Sequence, residues 1–568
     1  LSFPAHLFFM THSVFMGNTS SGVASDEKPS KSGKKGAKKG CMATKGKRKS
    51  ANSSNPKSSK IAKLETAKYV YDKLFVEGQD SDISITALGY RWKLHKFYLK
   101  QCDYFSALLE GEWKDSKKTE YTIEIPDENI TKDGLHSVLG ALYDNEIVFD
   151  VDKLRSIIAA ASFLQLTSVF ERASEAIVTS IDDATVLEFL ECGYRYGIDE
   201  VTEKAFDYLR WNLWRLSRSV SFLRNLPEEA LTRLVACIDL PVVEGELDLY
   251  KAIRSWIVLH ESDGYLGDDP ELLATEVTKY LKMLKYAWDN DVSSMVSTAG
   301  TSPSSTRHST PSTSSCDEIH GALSSQLAAQ PYSLFLKYSQ LFAGLRLHSL
   351  CYSTSSINHL IEDALLPPSL VDAVIADRHF TQLSIDEHRV GDINRQSTES
   401  VSEEAFLLGC TRFGRTFGEV PKCWRWTGSH YGVDLLMNMQ STMLTMKRNM
   451  YVQPSTYSLN QKDRISISYR VIILSENGTV IRDTKKASAT LGADAVVVVT
   501  RFAKGELPSK FSLHLFVLYG APSPNPSFVM VGKAVKQLKQ LTRPVLDVDN
   551  VSLLDEEEKE EDEEEEEE

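Results

Sequence analysis

The sequence predicts an α+β protein with a mixed N-terminal module, a helical middle and a β-rich C-terminal domain. Strand-like alternation is interleaved with helical stretches between Leu64 and Ile125. Amphipathic helical patterns fill most of the chain from Leu135 to about residue 285, and six short β-type segments lie between Val433 and Leu518. A length of 568 residues, 42% of them hydrophobic, allows about two to four domains with large cores.

The two ends of the chain carry opposite charges, although the formal net charge is only −14. Lys28–Lys63 holds 13 basic residues and no acidic one, whereas Asp555–Glu568 holds 13 acidic residues and one lysine. The residues between them, 64–554, carry −13. We therefore predict a disordered basic leader over residues 1–62 and a disordered acidic tail over residues 546–568. This distribution excludes a uniformly basic nucleic-acid-binding protein and a uniformly acidic chain.

The leader contains two candidate address signals. Met16 is expected to be the initiator, because Met16–Ser21 fits the pattern for N-myristoylation of Gly17. One myristoyl chain needs a second membrane signal, which the basic run Lys31–Lys49 would supply. The alternatives are a chance match and a solvated basic segment. A two-part nuclear import signal is predicted from six basic residues: Lys34, Lys35, Lys45, Lys47, Arg48 and Lys49.

The N-terminal module is predicted to begin with a helix, because four apolar residues share one of its faces: Leu64, Tyr71, Leu74 and Phe75. A β-hairpin follows, in which Asp82–Leu88 and Arg91–Leu94 flank the turn Gly89-Tyr90. A helix over Tyr98–Glu110 and a strand over Tyr121–Ile125 complete the module.

The helical middle is interrupted by Ser293–Ser315, in which 15 of 23 residues are Ser or Thr, and this composition predicts a solvated linker. The helical pattern resumes from Tyr332 to about Phe380. Asn477-Gly478 predicts a hairpin turn within the β-rich domain. The expected strands are Val433–Met439, Leu444–Lys447, Ile465–Leu474, Val480–Asp483, Ala495–Arg501 and Phe511–Leu518.

No pattern of catalytic or metal-binding residues is found. The chain lacks Gly-x-Ser-x-Gly, His-Glu-x-x-His and the phosphate-binding Gly-x4-Gly-Lys-Ser/Thr. Its eight cysteines form no Cys-x-x-Cys pair, which argues against a disulfide framework and favours a reducing compartment. Cys410, Cys423 and His430 lack metal-ligand spacing, and no apolar run is long enough to span a membrane. We therefore expect no catalytic residue, metal or cofactor, and a function that depends on surfaces.

Six motifs occur between residues 80 and 180: Asp82–Ile85, Leu94–Leu99, Tyr104–Leu109, Ile125–Asp127, Leu139–Tyr143 and Ile158–Leu166. Through these motifs, residues 80–180 resemble a BTB (POZ) domain. The resemblance implies that His95 is a buried residue that fastens the hairpin to the following helix. The glycine that usually follows the family's tyrosine is replaced by Asp144-Asn145.

Residues 181–285 resemble the BACK helical domain, through Tyr196–Ile198, Phe222–Pro227 and Glu246–Trp256. Leu345–Leu347 followed by Ile357–Leu366 looks like the continuation of that domain, so the Ser/Thr-rich segment is interpreted as an insertion. The predicted domains are BTB over 63–180, BACK over 181–380 with an insertion at about 288–330, and a β-rich domain over 405–540.

Four further segments are distinctive: Trp113-Lys114, Cys423–Gly428, Gly432–Leu436 and Lys447–Asn449. Through them the chain resembles, over roughly residues 65–520, the germ cell-less group of nuclear-envelope BTB–BACK proteins. The resemblance implies a nuclear location, a part in germ-cell development and contact with nuclear lamina or envelope proteins. Cytoplasm and the inner membrane surface are further expected locations through lipidation of Gly17.

The resemblance also implies two interaction surfaces on the BTB domain. Family members dimerise through the leading helix, which assigns Tyr71, Leu74 and Phe75 to a dimer interface. Adaptor-type BTB domains bind cullin-3 through an apolar-x-Glu motif, to which Trp113, Lys114 and Asp115 correspond here. The acid is one methylene shorter, so weaker cullin binding is expected. Tyr104 is a further candidate; for Tyr104 core packing is the alternative, and for Trp113 a structural role.

The β-rich domain is the candidate substrate-binding domain, with Trp424, Arg425 and Trp426 as its candidate residues. Alternation puts both indoles on one strand face, for which a core face is the alternative. The domain lacks Kelch repeats. The resemblance thus implies a homodimeric, non-catalytic adaptor that recruits a protein substrate to a cullin-3 ubiquitin ligase and binds no specific nucleic acid. The alternative is a nuclear-envelope scaffold or transcription corepressor that uses the dimer without a ligase.

Overall fold

The fold was analysed in a computed structural model. All described residues belong to one compact unit, which begins at Glu65. The predicted leader, residues 1–62, and the predicted tail, residues 546–568, lie outside them. The described ranges are 66–110, 118–144, 148–262, 265, 267–298, 332–387, 401–418, 420–426, 433–449, 464–492, 495–519 and 525–541.

The first module, Thr66–Thr179, is built on a three-stranded sheet of order β2-β1-β3. Strand β1 (Ile83–Ala87) pairs antiparallel with β2 (Tyr90–Leu94) and parallel with β3 (Glu120–Thr122). The alternate apolar residues of β1 are buried, as its sequence predicts. The predicted strand over Tyr121–Ile125 is shorter, since only Glu120–Thr122 pairs with β1, and Ile123 N adds one hydrogen bond of 2.9 Å to the carbonyl oxygen of Thr86.

Helices cover this sheet. The predicted helix over Tyr98–Glu110 is divided in two, because the chain bends to bury Cys102, whose Sγ lies 2.8 Å from the carbonyl oxygen of Leu164. The helices are α1 (Thr66–Val70), which continues as a π-helix over Tyr71–Val76, α2 (Lys96–Leu99), α3 (Asp103–Glu110), α4 (Lys132–Ala141), α5 (Leu154–Phe163), preceded by a 3₁₀ turn (Val151–Lys153), and α6 (Thr167–Thr179).

The helical region follows and has its own core, in which Trp256, Phe335 and Phe342 are buried. Residues from both sides of the undescribed segment 299–331 pack into this core. Its helices are α7 (Val186–Tyr196), α8 (Asp199–Leu216), α9 (Val220–Asn225), α10 (Glu228–Ala236), α11 (Glu246–Glu261), α12 (Pro270–Thr298), α13 (Ser333–Lys337), α14 (Ser339–Gly344), α15 (Leu347–Leu350), α16 (Thr354–Asp363) and α17 (Pro368–Glu387).

Helix α12 extends beyond the predicted start of the Ser/Thr-rich linker. The composition predicts a linker from Ser293, whereas the helix continues to Thr298. Extending an existing helix by one residue fixes only that residue, whereas a new helix needs an unfavourable nucleus. The Ser and Thr residues at the end of α12 are therefore held helical by the preceding turns.

The C-terminal part is a β-sandwich, Thr411–Tyr519, preceded by α18 (Glu403–Gly409). Side chains of two sheets form one core between them. A five-stranded sheet has the order β10-β8-β12-β4, with β9 paired to β8, and a four-stranded sheet has the order β11-β7-β6-β5. The strands are β4 (Thr411–Phe417), β5 (Lys422–Trp426), β6 (Leu435–Met439), β7 (Met443–Arg448), β8 (Arg464–Ser475), β9 (Val480–Asp483), β10 (Ala487–Gly492), β11 (Val496–Arg501) and β12 (Phe511–Tyr519).

The last helix, α19 (Ser527–Leu541), belongs to the helical region and not to the sandwich. Val531 and Ala534 are buried in the core of the helical region, where α19 packs against α14 and α17. Leu347 N also donates a hydrogen bond of 3.0 Å to Ser527 Oγ. The sequence prediction assigned residues 405–540 to one β-rich domain, because sequence order alone does not show that the chain returns.

A connecting segment, Ile238–Gly245, joins the helical region to the sandwich through its backbone. The carbonyl oxygen of Leu240 accepts a hydrogen bond of 3.2 Å from Arg412 Nη1, and the carbonyl oxygen of Val242 accepts one of 2.8 Å from His514 Nδ1. Glu244 N donates to the carbonyl oxygen of Gly414 at 3.0 Å. A Cβ at Gly414 would lie 1.9 Å from the Val242 oxygen, so only glycine permits this approach.

A buried ion pair anchors the same junction. Arg412 on β4 donates to Glu246 on α11 through Nη2 at 2.6 Å and Nε at 3.0 Å, and both side chains are at most 1% exposed. The backbone N of Arg346 donates to the same carboxylate at 2.8 Å. Burial alone would raise the pKa of Glu246, but the two arginines outweigh it and hold that pKa below its usual value. The carboxylate therefore stays ionised and fully hydrogen bonded.

Candidate interaction surfaces

The predicted dimer surface begins with the first helix of the module. Phe75 is 4% exposed, and its ring centroid lies 4.6 Å from that of His136 and 5.2 Å from that of Tyr143. Phe75 therefore packs in the core of its own chain in this conformation, and its assignment to a dimer interface stays a prediction. Tyr71 and Leu74 are half-buried.

Gly140 on α4 explains how the first helix is seated. A Cβ at Gly140 would lie 2.9 Å from ring atoms of both Phe75 and Tyr71. The rings can therefore approach the backbone of α4 only because position 140 has no side chain. The apolar surface left on the first helix comes instead from Tyr69, 62% exposed, and Val76, 57% exposed. The helical pattern used in the prediction did not include these two residues.

His95 holds three parts of the module together. Its backbone N donates to the hydroxyl oxygen of Tyr143 at 2.9 Å, and its Nδ1 lies 3.1 Å from the same oxygen. Its Nε2 lies 2.8 Å from the carbonyl oxygen of Gln79. His95 is half-buried and joins the hairpin to α4 and to the end of the first helix. The prediction expected a buried residue that fastens the hairpin to the following helix. That contact is present, because the carbonyl oxygen of His95 accepts hydrogen bonds of 3.1 Å from the backbone N of Tyr98 and from that of Leu99.

Tyr104 on α3 is half-buried rather than free. Its ring centroid lies 5.3 Å from those of Phe105 and Phe163, and burial raises the pKa of its hydroxyl group. Core packing therefore accounts for much of the side chain. Phe97 is instead 80% exposed on the neighbouring short helix α2. The sequence signal that could have indicated this exposed aromatic residue is its position directly after His95-Lys96.

The sandwich places Trp424 and Trp426 inside. They are 5% and 8% exposed, and their ring centroids are 5.5 Å apart in an edge-to-face arrangement. Phe417 lies 4.7 Å from Trp424 by ring centroid. The core alternative therefore applies to both indoles, and Arg425 between them points outward with a side chain that is 53% exposed.

The described parts of three segments that carry the germ cell-less resemblance, residues 423–426, 433–436 and 447–449, meet at one end of the four-stranded sheet. Trp426 pairs with Leu435, and Leu435 pairs with Arg448 on the next strand. Asp434, just before β6, accepts a hydrogen bond of 3.0 Å from the backbone N of Asn449 at its main-chain oxygen. The Asp434 carboxylate lies 3.7 Å from Arg425 Nε, and burial raises its pKa more than Arg425 lowers it.

Comparison with known proteins identifies one domain of the chain and a group of proteins that it is similar to. The family model for the BTB/POZ domain matches residues 71–181. The chain is 29% identical to mouse germ cell-less protein-like 1 over 72% of this chain and 70% of the relative. It is 29% identical to Drosophila protein germ cell-less over 70% of this chain and 66% of the relative. The chain carries a BTB/POZ domain and is similar to the germ cell-less proteins. Kelch-like protein 26 of zebrafish is 26% identical over 32% of this chain and 29% of the relative.

The BTB/POZ domain therefore coincides with the first module, and the similarity to germ cell-less proteins extends well beyond it. The predicted cullin-binding residues Trp113, Lys114 and Asp115 lie outside the described residues. So do Gly17 and the predicted nuclear import residues, Lys34, Lys35, Lys45, Lys47, Arg48 and Lys49.

The described part of this BTB/POZ protein presents no metal centre. Within the described ranges, no group of three His, Cys, Asp or Glu side chains could hold a metal ion. Cys410 is buried and Cys423 is exposed, and His430 lies outside the description. Among the described helices, none is long and apolar enough to cross a membrane.

Proposed function

We propose that this BTB/POZ protein is a dimeric adaptor that recruits a protein substrate to a cullin-3 ubiquitin ligase. The observation that carries the proposal is the joining of a BTB/POZ domain to a separate β-sandwich through a helical region. The adaptor would contribute surfaces and no catalytic group. Ubiquitin transfer would be carried out by the other components of the ligase.

The buried junction supports an adaptor whose sandwich is held in one position on the helical region. The Glu246–Arg412 pair and the backbone contacts of Ile238–Gly245 are directional and can form in only one arrangement. A substrate held by the sandwich would therefore have a defined position relative to the helices. An adaptor benefits from this because transfer depends on the distance between substrate and ligase.

The dimer part of the proposal rests on the first helix, and it starts from the residues of that helix that are not fully buried. Tyr69 and Val76 are exposed, and Tyr71 and Leu74 are half-buried beside them. Exposed apolar side chains that adjoin partly buried ones are typical of association surfaces. We assign the dimer interface to these four residues.

The cullin part is tested by co-precipitation of the full chain with cullin-3. We expect the wild type to capture cullin-3, and Trp113→Ala to reduce capture by about tenfold or more, as for an interface anchor. Tyr286→Ala is the control, because Tyr286 is an aromatic residue of the helical region that is 72% exposed. Failure of the wild type to bind cullin-3 would reject the adaptor and leave the nuclear-envelope scaffold or corepressor.

We propose a nuclear location, with lipidation of Gly17 as an additional membrane attachment. The Met16–Ser21 pattern and the basic residues that follow it support this proposal. Metabolic labelling with an alkyne-bearing myristate, in cells expressing the wild type and Gly17→Ala, should label only the wild type. Equal labelling of both would reject the assignment of Gly17.

A further inference from the structure

The outer face of the four-stranded sheet consists of two cross-strand rows of side chains that point away from the sandwich core. Strand pairing sets these rows, and the residues between them, Trp424, Met437 and Met446, are buried on the opposite face. One row is Arg425, Leu436, Lys447 and Val496, and the other is Cys423, Asn438, Thr445 and Val498.

The charge of this outer face differs in sign from the net charge of residues 64–554, to which it belongs. Both charged side chains in the rows, Arg425 and Lys447, are basic and exposed, and Arg501 adds an exposed cation at the end of β11. Arg425 lies 3.7 Å from Asp434, a pair too long for a hydrogen bond, and Lys447 makes no ion pair with any described residue. Because residues 64–554 carry −13, a face without acidic residues is not expected from composition.

Apolar residues are placed between and beside these cations. Leu436 lies between Arg425 and Lys447 in the same row, so the two cations are about 10 Å apart across three strands. Val496 and Val498 are 58% and 43% exposed on β11, which is the edge strand of the sheet. Basic groups that are separated by a half-buried leucine and flanked by exposed valines suit a ligand that combines carboxylates with apolar side chains.

We propose that the outer face binds an acidic segment of the recruited protein. Carboxylates of that segment pair with Arg425 and Lys447, and its apolar side chains pack on Leu436, Val496 and Val498. A nucleic acid fits less well, because the two rows contain no aromatic side chain for base stacking and too few cations for a row of phosphates. The identity of the partner as a ligase substrate rests on the proposed function, but binding to the face does not require cullin-3.

The test uses the purified full chain and a fluorescein-labelled peptide with the sequence Glu-Glu-Glu-Leu-Ser-Val-Ser-Leu-Glu-Glu-Glu. We expect saturable binding by fluorescence anisotropy that weakens as salt is raised. Arg425→Glu combined with Lys447→Glu should weaken it by about tenfold or more, because attraction becomes repulsion at two positions. Lys533→Glu combined with Lys536→Glu, which changes the net charge equally at exposed positions on α19, should leave it unchanged.

Further binding measurements distinguish an acidic peptide from other ligands of the outer face. A peptide with glutamine in place of every glutamate should bind at least tenfold more weakly, and a 12-nucleotide RNA should not compete. Equal binding by the two charge-reversed variants would overturn the proposal, as would RNA binding that depends on Arg425 and Lys447. If the probe binds only after residues 555–568 are removed, the chain's own acidic tail occupies the face and the partner proposal is rejected. A chain that binds the probe but not cullin-3 would keep this inference and reject the ligase.

Discussion

Glu246→Gln tests the most heavily buried charge pair of the protein's described part. The substitution keeps the size of the side chain and keeps a carbonyl oxygen to accept from Arg346 N, but it removes the negative charge. Arg412, 1% exposed, is then a buried cation without a counter-ion. Breaking a buried pair in this way costs about 3–5 kcal/mol, a large part of the stability of an ordinary domain. We therefore expect a loss of that size in the free energy of unfolding.

The assay is denaturation in guanidinium chloride followed by tryptophan fluorescence, with Glu203→Gln as the matched control. Glu203 pairs with Arg233 at 2.7 Å, but both side chains are well exposed, so its loss should cost at most about 1 kcal/mol. Glu246→Gln combined with Arg412→Met should recover much of the loss, because no unpaired charge remains. If Glu246→Gln costs no more than Glu203→Gln, the reasoning about the junction is refuted.

The pH dependence of this pair has a definite sign. The pKa of Glu246 is lowered in the folded protein, so its contribution to stability is fully present above the ordinary glutamate pKa of about 4.3. The contribution is lost as the pH falls below that value towards the folded pKa. In Glu246→Gln this part of the acid sensitivity should disappear from the denaturation midpoints.

Two further predictions concern the same junction. Gly414→Ala should destabilise the protein by about 2 kcal/mol or more in the same assay, because its Cβ would lie 1.9 Å from the Val242 oxygen. The control Gly418→Ala should have little effect, since a Cβ there would meet open space. Equal effects of the two variants would contradict the close approach of the Val242 oxygen to Gly414. Burial lowers the pKa of His514 to about 4 in the folded protein. Because the unfolded chain therefore binds more protons than the folded one below pH 6.5, the free energy of unfolding should fall by about 3 kcal/mol between pH 6.5 and 4. His514→Asn should reduce this slope in a pH series of denaturation midpoints, and an unchanged slope would show that other groups cause it.

Local sequence patterns predicted the elements whose stabilising contacts are also local. The strands with regular alternation or a continuous apolar run were expected within about two residues of their observed ends, such as Val480–Asp483 and Phe511–Tyr519. Gly478 adopts a φ of +77° in the hairpin turn, as the Asn477-Gly478 pair predicts. These features depend on backbone preference and on the pairing of neighbouring segments.

One strand that the sequence analysis did not predict, β4, contains a polar residue whose partner is far away in sequence. Strand β4 includes Arg412 and Gly414, which break the apolar pattern of a buried strand. Arg412 is buried only because Glu246, 166 residues earlier, neutralises it. No local pattern contains that information. The same limit explains Phe75, since helical periodicity identified an apolar face but could not show that His136 and Tyr143 would cover it.

Alternation in Trp424–Trp426 put the indoles on one side and Arg425 on the other, but it did not show what stands beside Arg425. Strand pairing supplies that information by placing Leu436, Lys447 and Val496 in the same row. These residues come from three strands separated by turns and loops. The proposed binding face is therefore a product of sheet topology, which a single-sequence pattern does not determine.

The chemistry of the junction indicates why a buried ion pair is retained there. Apolar contacts, such as those that Phe406, Ile472 and Phe516 make with Trp211, stabilise the packing of the sandwich on the helical region. Such contacts tolerate small shifts and rotations of one part against the other. The bidentate Glu246–Arg412 contact is satisfied in one geometry, and any displaced arrangement leaves two charges buried and unpaired. The pair therefore penalises misplacement more than it adds attraction. For an adaptor that must present the outer face at a fixed position, this discrimination would matter more than the stability gained. The Glu246→Gln, Arg412→Met double variant separates the effect on position from the effect on stability, because it should stay folded yet hold the sandwich less uniformly. We expect a broader distance distribution between spin labels placed on α10 and β11 than in the wild type.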